Sequence, residues 1–198
     1  KKFLPSLDGL IAVGNETIRV GVERNIPEKK FVFIPNGVDT EKFFAPASPS
    51  LGGFHTREEL EKTIGISLAD KFVLLTSGRL AKRKGVAWFV RNVMPKLPDN
   101  ILYIIAGDGV DRKNIIRVIE ETSSFDRVKL LGYVSDEMRN ILFNTTDLFI
   151  QPNIRVEGDM EGFGISVIEA ASCGLPVIAS RLEGLQDAIA DGKNGYLV

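Results

Sequence analysis

Short, nearly continuous apolar runs alternate along the chain with longer stretches of helical period. The runs at residues 9–13, 31–35, 72–77, 101–106, 128–131, 148–151 and 176–179 predict strands, being brief, rich in β-branched and aromatic residues, and bounded by turn formers. Between them, residues 86–94, 112–121, 136–144 and 165–172 carry apolar positions at helical spacing and predict helices. Strands that are apolar at almost every position imply burial on both faces. A repeated strand-helix-strand order implies parallel pairing, so the pattern predicts an α/β fold with a doubly wound parallel sheet. On such sheets ligands bind where the carboxyl ends of the strands meet loops and helix amino termini.

Two segments break the rhythm. Asn36-Gly37-Val38-Asp39 has turn chemistry, and the stretch holding Pro46, Pro49, Gly52 and Gly53 reads as a linker, followed by a helix over 56–64. The expected division is 1–38 as the tail of a preceding domain with its hinge, 39–70 as linker and lead-in helix, and 71–198 as the compact ligand-binding unit. A start without methionine and an apolar end at Tyr196-Leu197-Val198 predict a piece of a longer polypeptide.

With 198 residues and 44% hydrophobic content the chain can bury a full core. Its 25 basic and 26 acidic residues nearly cancel, which argues against a nucleic-acid partner and requires any anion to be held locally. The one cysteine, Cys173, lies in an apolar run and predicts a buried thiol. No apolar stretch approaches the ~18 residues of a membrane span, so a cytoplasmic protein is expected, with attachment at the inner membrane face left open. His55, the only histidine, lies in the linker with no ligand cluster, and no metal-ligand spacing occurs.

Three strand-end loops hold candidate chemistry. In the first, Gly78 and Arg79 follow a strand and Lys84 opens a helix; a guanidinium fork and a mobile ammonium together suit a diphosphate, although a solvated basic turn has the same composition. The second runs Glu161-Gly162-Phe163-Gly164-Ile165-Ser166 and on to Glu169. Glycines there let backbone N–H groups approach a ligand at a helix amino terminus, which favours an anion by about 0.3–1 kcal/mol. Glu169, about one turn inside the helix, suits ribose hydroxyls, and Glu161 those of a sugar; a tight connection with a packed phenylalanine is the plainer reading. The third, Gly132-Tyr133-Val134 before Ser135, could present backbone to a flat base or be a simple join capped by Ser135. Ala106-Gly107-Asp108-Gly109 begins a dinucleotide fingerprint but has Arg112 where the third glycine would stand, and no acid stands at the distance a nicotinamide enzyme requires.

Taken in order, Ile34-Pro35-Asn36-Gly37-Val38-Asp39, Gly78-Arg79 with Lys84-Gly85, the Gly107 loop, Gly132-Tyr133-Val134, the Glu161 turn through Glu169, and Gly192 to Val198 resemble the group 1 family (family 4) of GT-B glycosyltransferases over almost the whole chain. The resemblance implies a Rossmann-like domain, the carboxy-terminal half of a GT-B fold, holding a nucleotide-diphosphate sugar of UDP or GDP type as donor substrate, with no other cofactor and no metal. It implies a retaining hexosyltransferase of polysaccharide biosynthesis, inactive as this piece alone, with Arg79, Lys84 and Glu161 in the catalytic role. Gly78, Arg79, Lys84, Gly132, Tyr133, Val134, Glu161, Gly162, Phe163, Gly164, Ile165, Ser166 and Glu169 would hold the donor. An acceptor glycan or lipid-linked sugar would bind through an amino-terminal domain outside this sequence. A non-catalytic sugar-nucleotide-binding module is the alternative. The chain departs from the family's pattern at 153–160, a longer loop that adds Glu157 and Asp159.

Overall fold

A computed structural model describes residues 4–40 and 56–198, so the predicted linker and His55 lie outside the described residues. Six strands form one sheet: β3 (Phe72–Ser77), β4 (Ile101–Ala106), β5 (Val128–Gly132), β6 (Leu148–Gln151), β7 (Val177–Ala179) and β8 (Tyr196–Leu197). Their order is β5-β4-β3-β6-β7-β8 and every pair is parallel. The chain builds outward from β3 to β5, then crosses back to lay β6 on the other side of β3. The carboxyl edge of the sheet therefore opens between β3 and β6, where successive crossovers leave in opposite directions.

Alternate side chains of the central strands feed two cores. Val73, Leu75, Leu102, Ile104 and Phe149 point to one face, where they meet α2 (Arg57–Ile64), α5 (Asp136–Thr145) and α6 (Ile165–Ser172) through Leu60, Leu142 and Val167. Leu74, Tyr103, Ile105 and Ile150 point to the other, against α3 (Val86–Asn92) and α4 (Arg112–Glu121) through Phe89, Val90, Ile115 and Val118. This two-sided burial is why the strands read as unbroken apolar runs. Tyr103, fully buried against Phe89 with ring centroids 5.1 Å apart, satisfies its hydroxyl on Thr76 Oγ1 at 2.7 Å, and Thr76 donates to the Ile150 carbonyl at 2.5 Å. The β3–β6 seam is thus pinned by a polar chain inside the apolar layer.

Local sequence fixes several ends. Thr56 caps α2 by accepting from Glu59 N at 3.2 Å, and Ser135 caps α5 by accepting from Met138 N at 3.2 Å, the role its position predicts. The sequence reading did not anticipate α1 (Asn15–Glu23), the short α7 (Leu185–Ala188) or β8. Strands β1 (Leu10–Ala12) and β2 (Phe31–Phe33) pair in parallel as a separate two-stranded sheet, with α1 as their crossover. Gly21 lies so close to the Phe31 ring that a Cβ there would stand 2.3 Å from Cζ, so glycine inside α1 lets the helix lie on β2. Cys173 is a buried free thiol on the core beneath α6, as expected, and burial pushes its pKa up to about 11.

Candidate functional site

At the carboxyl edge the loops after β3, β4 and β5 are tied by backbone bonds: Gly78 N donates to Ala106 O at 2.9 Å, Leu80 N to Asp108 O at 2.9 Å, and Gly107 N to Gly132 O at 2.7 Å. Together they enclose a cavity of about 320 Å³ whose lining includes Gly78, Arg79, Asp108, Tyr133, Val134 and Arg139. Arg79 is exposed and its side chain makes no hydrogen bond or ion pair to the described residues, so its guanidinium is available to a ligand anion. The Gly107 loop, which looked like part of a dinucleotide fingerprint, instead packs backbone to backbone against residues 78–80 and shapes the cavity wall.

A second cluster lies beside it. Gly85, in the left-handed region with φ 67°, rests on the loop after β6 so closely that a Cβ would stand 1.8 Å from the Pro152 carbonyl oxygen. This contact turns Lys84 inward: it is 8% exposed, and its Nζ stands 2.6 Å from Oε2 of Glu161, itself 7% exposed. The same oxygen accepts from Asn153 Nδ2 at 3.2 Å, Asn153 accepts from Gln151 Nε2 at 2.6 Å, and Arg83 Nε lies 3.7 Å away. Burial alone pushes the Glu161 carboxyl upward, but Lys84, Asn153 and Arg83 outweigh it and leave the pKa below the ordinary carboxylate value. Arg83 also grips the 153–160 loop through Asp159, 3.0 Å from Nη1, and through its own carbonyl, which accepts from Ile154 N at 2.9 Å. Gln151 Oε1 is buried with no hydrogen-bond partner among the described residues, which leaves acceptor capacity inside this cluster.

From Glu161 the chain passes through Gly162, buried Phe163 and Gly164 into α6, where Val167 N donates to Gly164 O at 3.0 Å and the N–H groups of Ile165 and Ser166 have no intrahelical partner. Ile165 is exposed there, while Ser166 and Glu169 are half-buried. The turn is held from outside by Glu183, which accepts from Glu161 N at 2.6 Å, and by Gly184 N, which donates to Glu161 O at 3.1 Å. The start of α1 docks on the same corner: Asn15 N and Nδ2 donate to the Asp187 carboxylate on α7 at 2.7 and 2.5 Å.

The structure thus gathers Gly78, Arg79, Tyr133 and Val134 around one cavity and joins Lys84 to Glu161 next to the glycine turn. The cavity lining does not include Lys84, Glu161 or Glu169. Sequence reasoning missed Arg139, Asp108, Gln151, Asn153, Arg83 and Asn15. Only Arg83, next to Lys84 in the basic turn after the 72–77 strand, and Asp108, inside the glycine loop, had a local signal. Among the described residues no group of three or more His, Cys, Asp or Glu is placed to hold a metal ion, and no helix is long and apolar enough to cross a membrane.

Residues 57–198 match the family described as glycosyl transferases group 1. The chain belongs to the group 1 glycosyl transferases. Among curated relatives of this group 1 chain, a GDP-mannose-dependent alpha-(1-6)-phosphatidylinositol monomannoside mannosyltransferase of Mycolicibacterium smegmatis is 31% identical over 179 residues, covering 87% of this chain and 44% of that protein. A UDP-Gal:alpha-D-GlcNAc-diphosphoundecaprenol alpha-1,3-galactosyltransferase of Escherichia coli is 30% identical over 196 residues, covering 96% and 46%. Anabaena Alr3699/HepE, solved in complex with UDP-glucose, superposes with TM-score 0.79 at 24% identity over 96% of this chain and 50% of that one. A glycosyltransferase from Rickettsia africae does so with TM-score 0.80 at 21% identity over 100% and 52%. The fold is therefore the Rossmann-like half of a GT-B architecture, and the chain spans about half the length of the proteins it matches or less.

Proposed function

We propose that this group 1 chain is the donor-binding part of a retaining hexosyltransferase that takes a nucleotide-diphosphate sugar. The observation that carries the reading is the meeting, at one sheet edge, of an open cavity bearing an unengaged arginine with a buried lysine-glutamate pair beside a helix amino terminus. In this reading the base enters the cavity at Gly78, Tyr133 and Val134, just past Gly132, and the ribose extends beyond the cavity to Glu169, which accepts its hydroxyls. The diphosphate lies against Arg79, Lys84 and the N–H groups of Gly164, Ile165 and Ser166.

Lys84 can lie buried because its Nζ is paired with the Glu161 carboxylate at 2.6 Å. When phosphate oxygens approach, the ammonium can turn toward them, which frees Glu161 to accept hydroxyls of the transferred sugar beside Gly162 and Phe163. As the glycosidic bond breaks, negative charge grows on the departing diphosphate, and Arg79 and Lys84 stabilise it without assistance from a metal ion. Residues 71–198 would form the donor domain, 39–70 the linker, and 1–38 the end of an acceptor domain. The acceptor, a glycan or lipid-linked sugar, would be held largely by parts of the protein beyond this chain.

The test is calorimetric titration with UDP, GDP, ADP and NAD in chelator. One nucleoside diphosphate should bind while NAD does not, and Lys84→Ala and Glu169→Ala should each weaken binding about tenfold or more. If no nucleotide binds, or neither substitution weakens binding, the donor assignment fails; affinity lost on adding chelator overturns the metal-free mechanism. Full-length protein that binds donor yet neither hydrolyses nor transfers it would instead be a non-catalytic module.

A further inference from the structure

On the face of the sheet built by α3 and α4, a groove of about 350 Å³ that shares no lining residue with the Tyr133 cavity runs between the two helices. One wall carries Trp88, the only tryptophan in the chain, left 47% exposed although its neighbours Val86, Ala87, Phe89 and Val90 are all buried. The other wall is a continuous polar ladder along α4. Asp111 Oδ1 accepts from Asn114 Nδ2 at 3.1 Å, Asn114 Oδ1 accepts from Arg117 Nη2 at 2.7 Å, and Arg117 and Arg91 both pair with Glu121. Asp111 is only 9% exposed, and its second carboxylate oxygen has no hydrogen-bond partner among the described residues. Lys82 and Ile154 close the end nearest the Lys84 turn.

The chemistry of this groove selects its ligand. Its two arginines, Arg91 and Arg117, are both taken up by Glu121, and Asp111 adds a second carboxylate, so the groove is not built for a phosphate or another anion. An indole face offers an apolar, slightly electronegative platform for the C–H face of a ring, and a row of planar carboxylate, amide and guanidinium groups offers alternating acceptors and donors. A pyranose has both complements, an apolar face and an equatorial rim of hydroxyls. We propose that the α3–α4 groove is a second carbohydrate site, which grips a neutral oligosaccharide with Trp88 as stacking platform and Asp111 and Asn114 as hydroxyl partners. It lies outside the donor reading above and does not depend on it.

Because Trp88 is the sole tryptophan, its emission reports on the groove directly. The 198-residue chain is titrated with neutral gluco- and manno-oligosaccharides, with inorganic phosphate as the anionic control, and affinities are repeated by calorimetry. A saturable change in Trp88 emission with at least one neutral oligosaccharide, and none with phosphate, is expected. Asp111→Asn should weaken that binding about tenfold, Trp88→Ala should abolish it, and Trp88→Phe, which keeps an aromatic face and guards against a folding defect, should retain part of it. The proposal is overturned if no neutral oligosaccharide binds, or if the Trp88→Ala and Asp111→Asn chains bind like the parent. Displacement of the sugar by UDP or GDP would place it in the donor cavity and would equally overturn the second site. Donor binding that fails while the oligosaccharide still binds leaves this proposal standing.

Discussion

Replacing Lys84 by methionine tests the buried pair at the heart of the site. The substitution keeps most of the side-chain volume but removes the cation that faces Glu161 at 2.6 Å, leaving a carboxylate that is 7% exposed. Removing one partner of a buried pair typically costs 3–5 kcal/mol. Asn153 at 3.2 Å and Arg83 at 3.7 Å remain beside the same oxygen, so the lower end, about 3 kcal/mol, is expected here. Both partners are nearly enclosed, so solvent screening removes little of it. With a urea slope of about 2 kcal/mol/M the midpoint should fall by about 1.5 M.

The double variant Lys84→Met with Glu161→Gln, which leaves no buried charge in the pair, should recover most of the loss and give a coupling of about 2 kcal/mol or more. The sign of the pH dependence follows from the depressed pKa of Glu161. Its stabilisation is present above the unfolded carboxylate value and is lost as pH falls through the lower folded value. In Lys84→Met burial is opposed only by Asn153 and Arg83, so the carboxyl rises relative to the parent and the gap between parent and variant should close on acidification. A neutral-pH cost below about 1 kcal/mol, or a coupling near zero, would show that the pair is not the strong buried contact inferred here.

Gly85→Ala should cost at least about 2 kcal/mol in urea unfolding, because a left-handed backbone and the Pro152 carbonyl both reject a Cβ; nucleotide affinity should fall with it as Lys84 is displaced, and unchanged stability would contradict the docking of these two loops. Arg79→Ala should leave stability within about 0.5 kcal/mol, the side chain being exposed and unpaired among the described residues, yet weaken nucleoside diphosphate binding about tenfold by calorimetry. Cys173, with its thiol raised to about 11, should react with disulfide reagents at about pH 8 far more slowly in the folded chain than in urea; equal rates would refute its burial.

Much of the architecture was legible because its cause is local. The central strands β3, β4 and β6 are apolar at nearly every position since both faces are covered, and the caps at Thr56 and Ser135 are properties of a few adjacent residues. Helix α1 was illegible because a segment rich in β-branched residues with an internal glycine has weak helical preference by itself, and only packing against Phe31 makes Gly21 acceptable. The two-residue β8 has too little length to carry a period and exists because β7 offers it an edge.

The site divides in the same way. By itself the sequence determined which residue types stand at the strand ends: Arg79 and Lys84 after one strand, Tyr133 and Val134 after another, Glu161 and Glu169 around a glycine turn. Those choices are fixed by turn and helix-terminus chemistry that a short window contains. Only the tertiary structure decided that Arg79 faces an open cavity while Lys84 is buried on Glu161, that Gln151, Asn153 and Arg83 complete that contact, and that Trp88 confronts Asp111 across a groove. These are meetings between side chains far apart in the chain, and burial, which sets their charge state and strength, is created only when the crossovers bring the elements together.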